Sequence, residues 1–177
     1  FPTPWRFVAH ALGLDRLSPR LGHFMSEWSH ESTREVDQVI GAFFLVRRSV
    51  FEALRGFDER FFVYLEDLDF SYRAHQTGWS SMYLSYVQAF HAGNGTTRNI
   101  KARRLFYALR GKLLYAQKHF GVAGASLTYF SILFLEPITR TTFALAKRSL
   151  PTLIETWRGY GWLYQWLPRW IFKSEYR

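Results

Sequence analysis

Two hydrophobic rhythms divide the chain. Val36 to Val46 (VDQVIGAFFLV) is a nearly continuous apolar run rich in β-branched and aromatic residues, which predicts a buried strand. Arg47 and Arg48 end it. Ser49 is placed to cap a short helix over Val50 to Leu54, with Glu52 at its third position, and Gly56 then breaks the chain. Phe57 to Leu65 reads as an aromatic-rich connector. Glu66 to Thr77 predicts a helix, because acids crowd its first turn, Arg73 sits near its end and Gly78 follows as a stop. Met82 to His91 has the character of one or two short strands, and Gly93 to Thr97 (GNGTT) of a loop.

After Thr97 the period changes. Ala102, Leu105, Phe106, Leu109, Leu113, Ala116 and Phe120 recur at steps of three and four, one stripe of an amphipathic helix. Lys101, Arg103, Arg104, Arg110, Lys112 and Lys118 fall outside that stripe. Ala123 to Leu150 reads as helical, interrupted by Pro137 and ended before Pro151. Thr152 to Trp170 gives a third helical pattern, weakened by Gly159 and Gly161. Residues 1 to 36 carry Pro2, Pro4 and Pro19 among scattered polar residues, which predicts loop with short helical turns. The boundary between the two rhythms falls near residue 97.

Composition adds a charge division. The 177 residues are 48% apolar, enough for a sizeable core, and contain no Cys. A disulfide scaffold, a Cys-ligated zinc and a thiol nucleophile are therefore excluded, and a reducing compartment is compatible. The net charge of +9 is uneven: residues 1 to 91 hold 9 Lys and Arg against 11 Asp and Glu, and residues 92 to 177 hold 14 against 3. A basic second half implies an anionic contact, either nucleic acid or a membrane surface. The first residues lack the pattern of a signal peptide. The longest stretch free of His and of charged residues, Phe120 to Leu135, has 16 residues against the roughly 20 needed to span a bilayer, and it reads as a buried or interfacial helix.

Three features carry candidate chemistry. Glu66, Asp67 and Asp69 follow Phe61, Phe62, Tyr64 and Leu65, so three carboxylates lie beside an apolar wall. Such surroundings can raise a carboxylate pKa toward that of a useful general base. The plainer reading is that the acids complement the helix dipole, with Asp69 and Arg73 as a surface pair. His91, 24 residues after Asp67, ends an apolar segment and could ligate a divalent metal or simply be hydrogen-bonded. Gly93 to Arg98 could present backbone N–H groups, Thr96, Thr97 and Arg98 to a diphosphate, or be an ordinary loop capped by Thr97. Trp79 and Tyr64 fit either the core or an acceptor-stacking role, the core being preferred.

The order of these residues is more specific than any one of them. Gly41-Ala-Phe-Phe-Leu-Val-Arg-Arg48, Gly56-Phe-Asp-Glu-Arg-Phe-Phe62, Tyr64-Leu-Glu-Asp-Leu-Asp69, Arg73, Gly78-Trp79 and His91 resemble the C-terminal half of family 2 inverting glycosyltransferases. The similarity covers about residues 36 to 120 and is greatest to the rhamnosyltransferase-like and galactofuranosyltransferase-like branch that builds bacterial cell-surface polysaccharide. It implies an α/β fold: residues 1–97 as the acceptor half of a GT-A Rossmann-like domain, followed by a basic amphipathic helical tail over 98–177.

The resemblance also implies roles. Asp67 becomes the catalytic base, with Glu66 and Asp69 in support. His91 helps hold a divalent metal, Mg2+ or Mn2+, and Arg98 and Thr96 contact the donor diphosphate. The partners implied are a nucleotide-sugar donor and a lipid-linked or polysaccharide acceptor. The family's Asp-x-Asp metal motif is absent before residue 36, so a nucleotide-binding half is expected upstream, and the piece alone is expected to be inactive.

The basic aromatic tail is expected to dock on anionic lipid, with Trp157, Trp162, Trp166 and Trp170 at headgroup depth. That places the protein in the cytoplasm, on the inner face of the plasma membrane. Two other classes remain at this level: a basic nucleic-acid-binding module, which a pI near 10 favours, and a non-catalytic domain retaining the fold. The first leaves the acidic cluster unexplained and carries no nucleic-acid motif, so no nucleic-acid partner is expected.

Overall fold

Thr3 and Pro4 open the first helix, α1 (Pro4–Ala11), in the usual way: the Thr3 hydroxyl accepts from the Arg6 N–H, and proline stands where its missing N–H costs nothing. The computed structural model describes residues 1–22, 28–90 and 100–172. Two short 3-10 turns, Leu14–Arg16 and Pro19–Leu21, follow α1. Strand β1 (Arg34–Val36) pairs antiparallel with β2 (Ser81–Tyr83), Val36 facing Ser81. Between them lie a 3-10 turn at Gly41–Phe43, helix α2 (Arg48–Ala53) and helix α3 (Glu66–Gln76).

The predicted buried strand over Val36 to Val46 is not what forms. Only its first residue is in β1, and Ile40, Phe43 and Leu45 are exposed, Leu45 at 96%. The physical reason is pairing: a buried strand needs a ladder partner for its N–H and C=O groups, and the described residues offer only β2. The described residues are accordingly mostly helical, with one two-stranded sheet, and do not display the expected α/β layering. Ser49 lies inside α2, whose cap position is Arg47 without a side-chain hydrogen bond. Trp79 is 45% exposed rather than in the core.

Helix α4 (Lys101–His119) is the axis of the second half. Gly111 through Ala116 are all buried, Lys112 included, so its middle is enclosed on every side rather than along one stripe. Gly121, with φ of 64°, lets the chain turn into α5 (Gly121–Phe130). A π turn (Ser131–Leu135) leads directly into α6 (Glu136–Ala146), and α7 (Leu150–Phe172) completes the fold.

Pro137 produces a π turn in place of the predicted interruption. Proline has no N–H for the carbonyl four residues earlier. That carbonyl, on Leu133, accepts instead from the Tyr164 hydroxyl of α7 at 2.8 Å. Lys112 meets Glu136 at 3.8 Å, and Glu136 accepts from Arg140 at 2.6 Å, so the one acid of α6 is 2% exposed but compensated.

The larger core draws on both sides of residue 97. Phe7, Phe61 and Leu68 pack with Leu109, Leu113, Tyr115 and other residues of the second half. A smaller cluster unites Val50, Phe70 and Ala74, flanked by Phe44 and Phe51. Trp170 is 5% exposed and stacks on Trp166 with centroids 4.9 Å apart, so this pair packs into the helical core rather than standing free on the surface.

Candidate active site

The acidic motif splits in space because residues two apart on a helix project about 200° from each other. Asp67 and Asp69 therefore leave opposite sides of α3. Asp67 is half-buried. Its Oδ2 accepts from the Gly41 N–H at 2.7 Å and its Oδ1 from the Leu68 N–H at 2.8 Å. The first bond joins residues 26 apart and ties the apolar run to the head of α3. Two backbone donors hold this carboxylate in one orientation.

Asp69 is fully buried under α3. It accepts from Arg73 Nε at 2.8 Å and from His119 Nε2 at 2.7 Å, and it pairs with Lys118 Nζ at 2.8 Å. Burial pushes its pKa up, but His119, Lys118 and Arg73 outweigh that and hold it below the ordinary aspartate range. The pair with Arg73 exists as the sequence predicts, yet it is buried rather than on the surface.

Arg73 also donates to the carbonyls of Leu54 and Gly56, and Lys118 also donates to Asp58 at 2.7 Å. Arg60, donating to Asp58, is the largest cause of that carboxyl lying well below its usual range; burial opposes the shift and Lys118 adds to it. The Gly-Phe-Asp-Glu-Arg-Phe-Phe segment is thus fastened to α3 and to the end of α4. Phe57 packs on Phe44, Phe51 and Phe70, and Phe61 is buried in the larger core.

Glu66 differs from both. Burial raises its pKa above the ordinary glutamate range, and the Asp67 charge adds to the rise. Its Oε2 is buried without a hydrogen-bond partner among the described residues. The upward shift expected of a carboxylate beside an apolar wall therefore falls on Glu66.

The backbone before these acids is strained. Tyr64 and Leu65 have φ of 70° and 71°, a left-handed conformation that costs side-chain-bearing residues of order 1–3 kcal/mol each. The pair rests on Gly111 of α4. A Cβ there would lie 2.8 Å from Leu65 Cδ1 and 2.9 Å from the Tyr64 carbonyl oxygen. Sequence reasoning assigned no role to Gly111, Lys118 or His119. A glycine in mid-helix is the signal that could have found the first, since it marks a close approach. The other two become visible only in three dimensions.

His91, Thr96 and Arg98 lie outside the described residues, together with the loop Gly93 to Thr97. Among the described residues, no three His, Asp or Glu side chains come together as a metal centre. Two cavities among the described residues are not lined by Asp67. One of about 250 Å3 lies among α4, the π turn and α7, lined by Leu113, Tyr129, Leu133 and Trp170. One of about 210 Å3 is lined by Leu54, Gly56, Asp58, Arg73 and Lys118.

Comparison with known proteins gives this arrangement a family. The chain is 40% identical over 68 residues to the N-acetylglucosaminyl-diphospho-decaprenol L-rhamnosyltransferase of two Mycobacterium tuberculosis strains, covering 38% of this chain and 22% of the relative. It is 46% identical over 57 residues to the rhamnosyltransferase WbbL of Escherichia coli, covering 32% of this chain and 20% of the relative. The matched part thus spans about a fifth of the length of these relatives. No solved structure matches. The sequence model described as Glycosyl transferase family group 2 matches residues 8–170, which takes in the second half of α1, the acid motif and nearly all of α7. With that extent of match, the chain belongs to glycosyl transferase family group 2 and is rhamnosyltransferase-like within it.

Proposed function

We propose that this chain is the acceptor-side part of an inverting glycosyltransferase in which Asp67 is the base. The full-length enzyme would move a sugar, rhamnose or another hexose, from a nucleotide-sugar to a lipid-linked or polysaccharide acceptor. Family membership and the names of the relatives support the sugar-transfer class. The single observation that carries the base assignment is the bond from Gly41 N–H to Asp67 Oδ2. It fixes one oxygen and the orientation of the carboxylate at the head of α3.

In this reading Asp67 takes the proton of an acceptor hydroxyl as that oxygen bonds to the anomeric carbon. The bond from that carbon to the diphosphate oxygen breaks in the same step, and the nucleoside diphosphate leaves. Glu66, beside it at the head of α3, supports by orienting the acceptor. The divalent ion implied by the resemblance would offset diphosphate charge, with His91 as its ligand and Arg98 and Thr96 on the diphosphate. The described residues assemble no such centre, and no step of the proton transfer runs through it. The reading further places the enzyme in the cytoplasm on an anionic membrane surface, and turnover requires the nucleotide-binding half.

Asp67→Asn in the full-length enzyme is the test. A general base contributes roughly 10²–10⁴-fold, so transfer should fall by at least that factor while donor binding, followed by calorimetry, is kept. Glu66→Gln should cost far less. Near-normal turnover of Asp67→Asn, or a larger loss in Glu66→Gln, sinks the assignment.

A further inference from the structure

From Gly121 to Ala146 the chain is one continuous helix of 26 residues, long and apolar enough by length and composition to cross a membrane. Only 33% of its apolar window is buried. The inner side, with Ala125, Ile132 and Ala144, packs against the rest of the fold. The outer side carries Val122, Phe130, Phe134, Ile138 and Leu145, each more than half exposed, and Leu150 extends it to the start of α7.

The π turn keeps that stripe straight. Steps of four residues advance about 40° around an α-helix, so a stripe from Val122 to Ile138 would wind far around its helix. A π turn takes more residues per turn and rotates the following positions back toward the first ones. The stripe therefore stays on one side over roughly 35 Å, at 1.5 Å per residue.

Charge selects the occupant. Lys147 and Arg148 are exposed at the end of the stripe, and Arg158 and Arg169 are exposed on α7. The described acids of this half are Glu136, buried against Lys112 and Arg140, and Glu155, which accepts from the Ala102 N–H and Arg158. Exposed cations beside an apolar stripe, with few anions, match an anionic lipid leaflet. Spanning is disfavoured because α4 and α7 pack alongside, and α4 carries exposed Lys101 and Arg103.

We propose that the Val122–Leu145 stripe, rather than the tryptophans of α7, seats the protein on an anionic leaflet, with α5 and α6 lying in the plane of the interface. This deepens the membrane-surface part of the function proposed above and rests on it.

The test is sedimentation of the full chain with vesicles of phosphatidylglycerol and phosphatidylcholine. Phe134→Ser with Ile138→Ser should weaken binding at least about tenfold. Lys147→Glu with Arg148→Glu should weaken it only when the anionic lipid is present. Both pairs are on the surface, so the circular-dichroism melt should be kept. Three outcomes overturn the proposal: unchanged vesicle binding in the Phe134/Ile138 variant, loss of binding in Trp157→Ala with Trp162→Ala at full strength of the stripe, or a lipid-free dimer that the stripe substitutions dissociate. In the full-length enzyme, Asp67→Asn must still bind vesicles, whereas the stripe variant must still transfer sugar to a water-soluble acceptor. Failure of one reading is thereby told apart from failure of the other.

Discussion

Replacing Gly111 with Ala tests whether α4 is the floor of the acid loop. The new methyl would stand 2.8 Å from Leu65 Cδ1 and 2.9 Å from the Tyr64 carbonyl oxygen. The leucine tip can rotate away. The carbonyl is backbone, and both residues are already in the left-handed region, so the loop itself must give. Ordinary contact begins near 3.4 Å, so Tyr64 must retreat by about 0.5 Å. Alanine gains about 0.5–1 kcal/mol over glycine in mid-helix. Overpacking costs about 1–3 kcal/mol. The cost wins, and Tm should fall by about 2–6 °C for a chain of this size. The loop leads directly into Glu66 and Asp67, and a 1 Å misplacement can cost about 10²-fold. A shift half as large should lower kcat by about tenfold, with KM for the donor little changed. Gly161 is the control: it is also inside a helix, but nothing lies within 4 Å of its absent Cβ. Gly161→Ala should raise Tm by about 1–4 °C at full activity. Differential scanning fluorimetry and steady-state transfer by the full-length enzyme read both variants. A Gly111→Ala protein as stable as Gly161→Ala, with kcat unchanged, would show that the loop does not rest on α4.

Other outcomes follow from single contacts. Asp69→Asn leaves Lys118, Arg73 and His119 around a neutral amide and should cost about 3 kcal/mol in urea unfolding. Tyr164→Phe should cost about 1 kcal/mol, because the Leu133 carbonyl loses its donor. Pro137→Ala restores an N–H near that carbonyl, so the Tyr164→Phe cost should shrink in its background, and strict additivity would refute the link. Asp58 and Asp69 both titrate below their unfolded value in the native state. Their contribution is complete above the unfolded aspartate pKa of about 3.9 and is lost as pH falls through the lower folded values. Urea midpoints should therefore hold down to about pH 4 and fall steeply below it, and Asp69→Asn should flatten that slope.

Elements with local signals were legible, and burial set by distant partners was not. Helix α3 starts at Glu66 and ends just before Thr77, as its acids and Gly78 indicate. The stripe of α4 was equally clear. Thr3 and Pro4 form a good helix start, but three prolines in the first 36 residues favoured a loop reading over α1. Val36 to Val46 has the composition of a buried strand, and composition does not state whether a ladder partner exists. Lys112 falls outside the apolar stripe of α4 and is buried nonetheless, because its partner Glu136 arrives 24 residues later on another helix.

The acid motif shows why such misreadings are physical rather than accidental. In sequence Glu66, Asp67 and Asp69 are one cluster sharing one wall. On a helix they leave in three directions, and each direction meets a different part of the chain. Asp67 reaches the Gly41 amide, which comes from 26 residues earlier. Asp69 reaches Lys118 and His119, from the end of α4. Glu66 turns an oxygen into a buried place with no partner among the described residues. Spacing alone determines the directions, at about 100° per residue. What waits in each direction depends on packing of segments up to fifty residues away. The chemistry therefore follows from the long-range partners, and these divide the motif into an oriented carboxylate, a structural hub and a carboxyl that burial favours as the protonated form.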